Sequence, residues 1–390
     1  MQLQKILLFS FVLLSFTALK AQDIHFSYFE LSPITFNPAQ TGAFSGTIRL
    51  TGHFRGQWLN NGDFNTLAFS VDSPVIRGFR DNDWIGGGIN LYTDTAGSGG
   101  LKTNGGGLNA AYHFGFDKNY SRVFSIGVKY GTISRSVNDD AAFIFRNGDR
   151  TELINSFQAT PDISDLFTVR DGGGFDGGSA TDIGIGILYK ASVDKTTEFA
   201  LGLSADHLTS PRISFAQSND GIGDGMMMLP TLTQCQMDPS ILGCDEVLNQ
   251  DPNTGARFQT TENRGVRISA TGNLTRYIND KVRLSPAALV QFTEQGFEAQ
   301  VHAIAGYLID PKKGTVINGG FGIRAIGLAD AQLYFGVEMK ELTVGAAFDL
   351  GLLGFQSAGG FQSAFELAAT YVINIYKDPD VDPVIFCPRF

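Results

Sequence analysis

The stretch from Glu341 to Tyr376 alternates between large apolar and small or polar side chains, and no other feature constrains the fold as strongly. A connection rich in Gly, Ser and Gln interrupts the pattern, which resumes from Phe361 to Ile375. A period of two places one set of side chains on each side of a strand. The second strand is far longer than the five or six residues that are usual in soluble sheets. A closed barrel in a bilayer would cover the apolar face and leave no edge, so the pattern predicts a transmembrane β-barrel.

The same alternation begins at Thr47, and its charges show which face is turned to water. Arg49, His53 and Arg55 share one face of this first predicted strand. An arginine facing lipid at the bilayer midplane costs about 2–4 kcal/mol, so this face must line the lumen. Closure places the last strand beside the first, and we therefore expect Glu366 to pair with the basic residues across the seam. The predicted luminal charge network is Arg49, His53, Arg55, Glu338, Asp349 and Glu366.

Eleven further runs alternate in the same way, which gives an all-β chain of 14 antiparallel strands. An even number is typical of single-chain bacterial barrels. Every second connection is short, whereas the two longest, 134–180 and 207–263, leave the same end of the predicted barrel. Short periplasmic turns and long external loops are usual, so we expect both termini in the periplasm and both long loops outside. The runs lie near Asn65–Asp72, Trp84–Tyr92, Gly105–Phe114, Arg122–Ile133, Thr181–Lys190, Glu198–Asp206, Arg264–Leu274, Val282–Phe292, Glu298–Ile309, Thr315–Arg324 and Ala331–Lys340.

The N-terminus has the pattern of an export signal. Lys5 is followed by an apolar run that is too short to cross a membrane as a helix and ends at Ala21. We expect cleavage after Ala21 and a location in the bacterial outer membrane. The predicted parts are therefore a signal peptide (1–21), a periplasmic, plug-like segment (22–46), the barrel (47–376) and a periplasmic tail (377–390).

Glycine makes up 47 of the 390 residues and gathers at predicted luminal positions. Glycine weakens a strand unless curvature or a close neighbour requires it. Two explanations stay open: the glycines allow barrel curvature with aromatic packing, or a plug or guest peptide lies against that wall. The positions are Gly86, Gly88, Gly127, Gly184, Gly186, Gly202, Gly306, Gly320, Gly322 and Gly336.

The longest loop carries two features of its own. Cys235 and Cys244 predict a local disulfide in an oxidising compartment, which leaves Cys387 without an assigned partner. Exposed methionine and leucine favour adaptable contact with a partner, although they could equally pack over the barrel mouth. The predicted partner-binding residues are Met226, Met227, Met228 and Leu229.

Several classes of function lack support in the sequence. A net charge of −10 argues against nucleic-acid binding. No GxxxxGK[ST], GxSxG or HExxH motif is present, and the five histidines are scattered, so we expect no cofactor, no metal site and no catalytic residues. The luminal charges could serve an enzyme, but such mixed sets usually form internal ion-pair networks. One Gly/Asp-rich run at 171–179 resembles calcium-binding repeats only as a single copy, which favours a loop.

The order of short motifs along the chain resembles the PorP/SprF family of Bacteroidota outer-membrane proteins. Each motif is weak alone, but together they extend over nearly the whole mature chain. Only the two long loops have no counterpart. The motifs are His25 to Tyr28, Asn37-Pro38-Ala39 with Gly42, Arg55 with Gln57-Trp58, Thr66, Asp72 to Pro74, Gly86 to Gly97, Gly345 to Asp349, Ser363 to Leu367 with Tyr371, and Cys387 to Phe390.

The resemblance implies a barrel similar in size to the FadL-type transporters that works with the type IX secretion system. It implies no enzymatic activity. It also implies partners: an exported protein with a type B C-terminal domain, such as a gliding adhesin, and type IX translocon or periplasmic lipoprotein components. Our first hypothesis is a protein that holds such a cargo at the cell surface or supports its secretion. The alternative is an outer-membrane channel for a hydrophobic or small solute.

Overall fold

The chain folds into a closed antiparallel barrel of 14 strands. The computed structural model describes residues 23–57, 64–78, 80, 82–96, 101–136, 175–176, 178–217, 259–293, 296–310, 314–325, 329–351 and 363–375. The predicted fold class is confirmed, and each predicted run corresponds to one barrel strand. None of the helices in these ranges is long and apolar enough to cross a membrane.

The barrel strands differ in length but follow one another around the wall almost in chain order. They are β1 (Ile48–Gln57), β2 (Phe64–Arg77), β3 (Trp84–Ala96), β4 (Leu101–Gly115), β5 (Arg122–Ser136), β7 (Ser179–Asp194), β8 (Thr197–Asp206), β11 (Arg267–Tyr277), β12 (Val282–Thr293), β13 (Gly296–Asp310), β14 (Thr315–Ala325), β15 (Ala329–Glu338), β16 (Leu342–Gly351) and β17 (Ser363–Ile373).

Three short strands form a second sheet that the sequence did not predict. They are β6 (Phe175–Asp176), β9 (Arg212–Gln217) and β10 (Gln259–Asn263), in the order β10-β9-β6. Runs this short inside polar connections carry too little periodicity to be recognised.

The two ends of the barrel differ in their connections. At one end the chain turns within a few residues, as at 116–121, 195–196 and 339–341. At the other end, the connections 137–178 and 207–266 join β5 to β7 and β8 to β11. We call these the short-turn end and the long-connection end. The predicted alternation of short and long connections therefore matches the topology.

The strand pleat sorts side chains between lipid and lumen. On β2, Leu67 and Phe69 point outward and are 52% and 49% exposed, whereas the intervening Ala68 is buried. The seam closes by pairing of β1 with β17, from Ile48 opposite Ile373 to Gln57 opposite Ala364. Closure satisfies both outer ladders, so no strand edge of the barrel is left open.

The lumen contains the chain's own N-terminal part, residues 23–46, which we call the luminal segment. It consists of short helical turns at Phe29–Leu31, Pro33–Phe36 and Pro38–Gln40. Proline at the first helical position suits two of these turns, because its missing N–H has no helical acceptor there. Asn37 caps the last turn by accepting a hydrogen bond from the Ala39 N–H at 2.9 Å.

The luminal segment runs the length of the barrel in the direction opposite to β1. Its first described residue, Asp23, binds Arg264 and Arg267 at the long-connection end. Its last residue, Gly46, lies at the short-turn end beside Val372 and Asn374. The sequence predicted a periplasmic, plug-like segment at 22–46. Its described part crosses the lumen and reaches the long-connection end at Asp23, a path that a non-alternating segment does not reveal.

Apolar side chains of the luminal segment form the barrel's core with the inner wall. One cluster joins Phe26, Phe29 and Phe36 to Ala68, Ala287 and Leu289. A second joins Tyr28 and Leu31 to Ile304, Tyr334, Ala347 and Ala368. Small wall residues leave room for aromatic rings of the segment, which fixes its path by close packing.

Several predicted features lie outside the described residues. They are the signal peptide (1–21), the methionine cluster Met226–Leu229, the disulfide pair Cys235 and Cys244, and the tail 377–390 with Cys387.

Candidate functional site

The seam between the first and last strands carries a buried ionic cluster. Glu366 of β17 forms an ion pair with Arg55 and lies 3.1 Å from Nε2 of His53, both on β1. The same carboxylate accepts hydrogen bonds from the backbone N–H groups of Ser27 and Tyr28, at 2.7 and 3.0 Å. Glu366 therefore joins both seam strands to the luminal segment.

A second carboxylate, Asp349 of β16, extends this cluster along the wall. It lies 2.8 Å from Nη1 of Arg55 and 2.8 Å from Nη2 of Arg324. The Ser27 hydroxyl donates to Asp349 at 2.7 Å. Four of the six residues of the predicted network, Arg55, His53, Asp349 and Glu366, are thus brought together.

The other two residues of the predicted network lie elsewhere. Arg49 faces Asp72 across β1 and β2 and binds it through Nε and Nη2, at 2.9 and 2.7 Å. Glu338 lies near the short-turn end of β15 and accepts from Nη1 of Arg283 at 3.1 Å. A cross-strand or nearby partner is available to each, so neither reaches the seam cluster.

The wall also forms many hydrogen bonds with backbone atoms of the luminal segment. The side chains of Gln300, Tyr334 and Ser204 donate to segment carbonyl groups at 2.6–3.1 Å. Asp72 accepts from the Gly42 N–H at 2.7 Å. Further wall donors to segment carbonyls are Arg49, Trp84, Lys190 and His113. Buried backbone groups need partners, and here the barrel wall supplies them.

Luminal glycines explain how the backbone of the segment comes so close to the wall. A Cβ built on Gly86 would overlap the Thr41 carbonyl, and one on Gly127 would overlap the backbone of Pro38 and Ala39. A Cβ on Gly186 would overlap the side-chain amide of Asn37. For these three positions the structure agrees with the peptide-against-the-wall explanation. The atoms nearest to a Cβ built on Gly320 belong to Ala303 and Ile304 of the wall, which agrees with the other explanation.

The long-connection end holds a separate ionic cluster centred on Asp23, which we call the Asp23 cluster. Its side chain is 11% exposed and forms ion pairs with Arg264, with Nη1 of Arg267 at 3.0 Å and with Nε2 of His207 at 2.9 Å. Burial alone would raise the pKa of Asp23, but the two guanidinium groups and His207 lower it well below its ordinary range. Burial likewise opposes a charge on His207, yet the carboxylates of Asp23 and Asp182 raise its pKa.

The Asp23 cluster continues along the inner wall. His207 Nδ1 lies 2.9 Å from Asp182 of β7, and Lys129 of β5 binds Asp182 at 3.0 Å and Asp206 at 2.7 Å. Arg267 closes the chain of charges by binding Asp206 at 2.9 Å. Each buried charge therefore has an opposite charge beside it, as buried ions require.

The three-stranded sheet joins the two long connections. β6 belongs to the connection 137–178, and β9 and β10 belong to the connection 207–266. β9 pairs with both other strands, for example Asp176 opposite Ala216 and Thr260 opposite Phe215. The two connections are thus held together at the end where Asp23 lies.

Metal-ligating side chains are not clustered in the part of the chain that the structure describes. Among the described residues, no three His, Cys, Asp or Glu side chains are grouped to hold a metal. A cavity of about 20 Å³, with room for a water molecule, lies near the short-turn end between the segment and β7, β8 and β11. Its lining mixes Lys190 and Glu198 with Leu188, Asn273 and Gln40.

The sequence did not single out the residues at the centre of the Asp23 cluster, Asp23, His207 and Arg264. Two local signals existed, because Asp23 lies two residues before the His25 motif and His207 directly follows a predicted strand. Neither signal shows that the residues meet, since their contact depends on the path of the segment through the lumen.

Comparisons with known proteins complete the description. The family model "Type IX secretion system membrane protein PorP/SprF" matches residues 18–371. Among solved structures, the CymD monoaromatic hydrocarbon channel has 11% identity and a TM-score of 0.47, with 88% of this chain and 93% of that chain covered. The toluene transporter TodX of Pseudomonas putida has 10% identity and a TM-score of 0.46, with 91% and 95% covered. A search of curated proteins gave no significant match.

Proposed function

Because this chain belongs to the PorP/SprF family of type IX secretion system membrane proteins, we propose that it is a non-enzymatic outer-membrane barrel that retains an exported protein at the cell surface. The partner in this proposal carries a type B C-terminal domain, such as that of a gliding adhesin. Contact with the type IX translocon or with periplasmic lipoproteins belongs to the same proposal, as support for secretion of that cargo.

The observation that carries the proposal is the occupied lumen. The luminal segment is bonded to the wall through its backbone, and buried ion pairs surround it. A filled barrel is a rigid support, and binding residues on such supports are usually found in the connections between strands. The long connections are therefore the best candidates for contact with the partner.

The partner surface that we propose lies on the connection 207–266. β9 and β10 lie near the two ends of this connection. Its middle part carries Met226–Leu229 and the Cys235 and Cys244 pair. Methionine and leucine side chains adapt to a partner surface, and a disulfide would restrict the loop that presents them. We place this end outside the cell, as the short-turn rule for outer-membrane barrels predicts.

A second candidate function is a channel for a small or hydrophobic solute. The cavity near the short-turn end, lined by Leu188, Asn273 and Thr275, measures about 20 Å³ and is too small for such a solute while the segment is seated. Passage through the barrel would require the luminal segment to move, because the segment borders this cavity at Gln40.

Shortening the connection tests the proposal. Residues 218–258 would be replaced by a short Gly/Ser linker that joins β9 to β10. We expect the barrel to fold and insert, because no barrel strand is altered, and the exported partner to appear in the medium. The measurement is the amount of surface protein on whole cells and in the culture fluid.

A matched control shortens the other connection within 138–172, which leaves β6 in place. Retention of every surface protein by a folded 218–258 variant, together with altered solute uptake, would contradict the retention proposal and support the channel.

A further inference from the structure

Asp23 contacts both roots of the connection 207–266. His207 is the first residue after β8, and Arg264 lies between β10 and β11. One carboxylate therefore holds the two points at which this connection leaves the barrel, through Nε2 of His207 at 2.9 Å and through the Arg264 guanidinium. Asp23 also binds Nη1 of Arg267, the first residue of β11, at 3.0 Å.

The backbone of one root has a conformation that depends on such contacts. His207 has φ of +60°, a left-handed conformation that side chains other than glycine rarely adopt. Its ring is held on both sides by carboxylates, Asp23 at Nε2 and Asp182 at Nδ1. A strained residue persists where its surroundings fix it, and here one of the two fixing groups belongs to the luminal segment.

We propose that Asp23 is a positioning residue for the partner-binding connection, so that the surface offered to the exported partner depends on a seated luminal segment. The inference rests on the proposed function, because it concerns the same connection. The segment fills the lumen with its middle part, and its first described residue fixes the roots of the connection that contacts the partner.

The chemistry gives a specific reason for an effect of charge. Asparagine at position 23 would keep the shape and one acceptor oxygen, but it would leave three cationic partners around a neutral group. The charged groups that face His207 or its neighbours are Asp23 of the segment, Asp94 of β3, Lys129 and Arg135 of β5, Asp182 of β7, Asp206 of β8, Arg264 between β10 and β11, and Arg267 of β11. Without the Asp23 charge, repulsion among Arg264, Arg267 and protonated His207 favours separation of the two roots.

The first test compares Asp23→Asn with Asp23→Glu and with a matched control, Glu30→Gln. Glu30 belongs to the same segment and binds His302 of β13, away from the connection. We expect Asp23→Asn to raise the rate of limited proteolysis within 207–266 about tenfold, as the loss of a charge-assisted bond implies when cleavage follows opening. Asp23→Glu should restore much of the protection, and Glu30→Gln should leave the cleavage rate near that of the parent protein.

The pH profile of the same cleavage separates positioning from a general loss of stability. The pKa of His207 is raised in the folded protein. The stability that His207 gives to the closed connection is therefore fully present below its ordinary pKa of 6.5, and it is lost as pH rises through the folded-state pKa. The pKa of Asp23 is lowered in the folded protein. The stability that Asp23 gives to the closed connection is therefore present above its ordinary pKa of 3.8, and it is lost only as pH falls through the lowered folded-state pKa. Cleavage of the parent protein should therefore increase from pH 6.5 upward, and in Asp23→Asn this increase should move to lower pH.

Surface retention of the partner is measured on the same variants. Lower retention in Asp23→Asn, with recovery in Asp23→Glu, would support the inference. Unchanged cleavage and an unchanged pH profile in folded Asp23→Asn would overturn it, even if shortening 218–258 releases the partner. The proposed function would fail by a different result. In that case cleavage would be faster in Asp23→Asn, but the variant with 218–258 replaced would still retain its surface proteins.

Discussion

Replacing Arg55 with glutamate is expected to lower the free energy of unfolding by about 3–5 kcal/mol, the loss typical when one member of a buried ion pair is removed. Arg55 is 1% exposed and lies between Glu366 and Asp349. The new carboxylate would meet two existing ones without compensation. The measurement is the temperature at which the folded barrel in detergent converts to the unfolded form on a gel.

Adding Glu366→Arg to Arg55→Glu should restore only part of this loss. The exchange recreates an ion pair across the seam, but Ser27 and Tyr28 lose the acceptor of their backbone N–H groups. Arg283→Glu, which breaks the pair with Glu338 on another part of the wall, serves as the control. The loss of stability from Arg283→Glu should add to that from Glu366→Arg, because distant pairs act independently. If the losses from Arg55→Glu and Glu366→Arg were also strictly additive, the seam pair would not be coupled.

A leucine at Gly127 is expected to force the luminal segment away from the wall. The added Cβ would overlap the backbone of Pro38 and Ala39, which cannot move aside as a flexible side chain can. Overpacking of a filled interior commonly costs 1–3 kcal/mol, and overlap with backbone belongs at the upper limit, about 3 kcal/mol. The expected result is a lower conversion temperature together with protease cleavage within 23–46.

Gly319→Leu is the matched control for this change. Gly319 lies on β14, and a Cβ built there meets no atom within 4 Å. A side chain at that position therefore has space, and stability should stay near that of the parent protein. Equal losses for the two variants would mean that leucine in a strand, rather than contact with the segment, causes the effect.

The sequence predicted the parts of the molecule that depend on local period and on closure. The alternation of Leu342 to Leu350 gave the faces of β16, and adjacency of the first and last strands led to the Arg55–Glu366 contact. The same argument did not find the partner of Arg49, because Asp72 lies on the other neighbouring strand, β2, and not across the seam.

The residues around Asp23 could not be predicted because their contacts depend on the path of a segment without periodicity. Asp23 and Arg264 are separated by most of the chain, and only the passage of the segment through the lumen brings them together. Strand pairing between β9 and β10 is similar, since each strand is short and flanks a long insertion. Long-range contacts of irregular segments need the three-dimensional structure.

Photo-crosslinking in living cells tests the central claim most directly. A photoreactive amino acid would replace Thr209, which is exposed at the long-connection end, or Lys281, which is exposed at the short-turn end. Both positions lie outside the barrel strands, so folding should be preserved. We predict that irradiation joins the Thr209 variant to an exported surface protein, identified by mass spectrometry, and that the Lys281 variant does not capture that protein. Capture of the surface protein from Lys281 alone, with the protein still retained on the cells, would contradict the account.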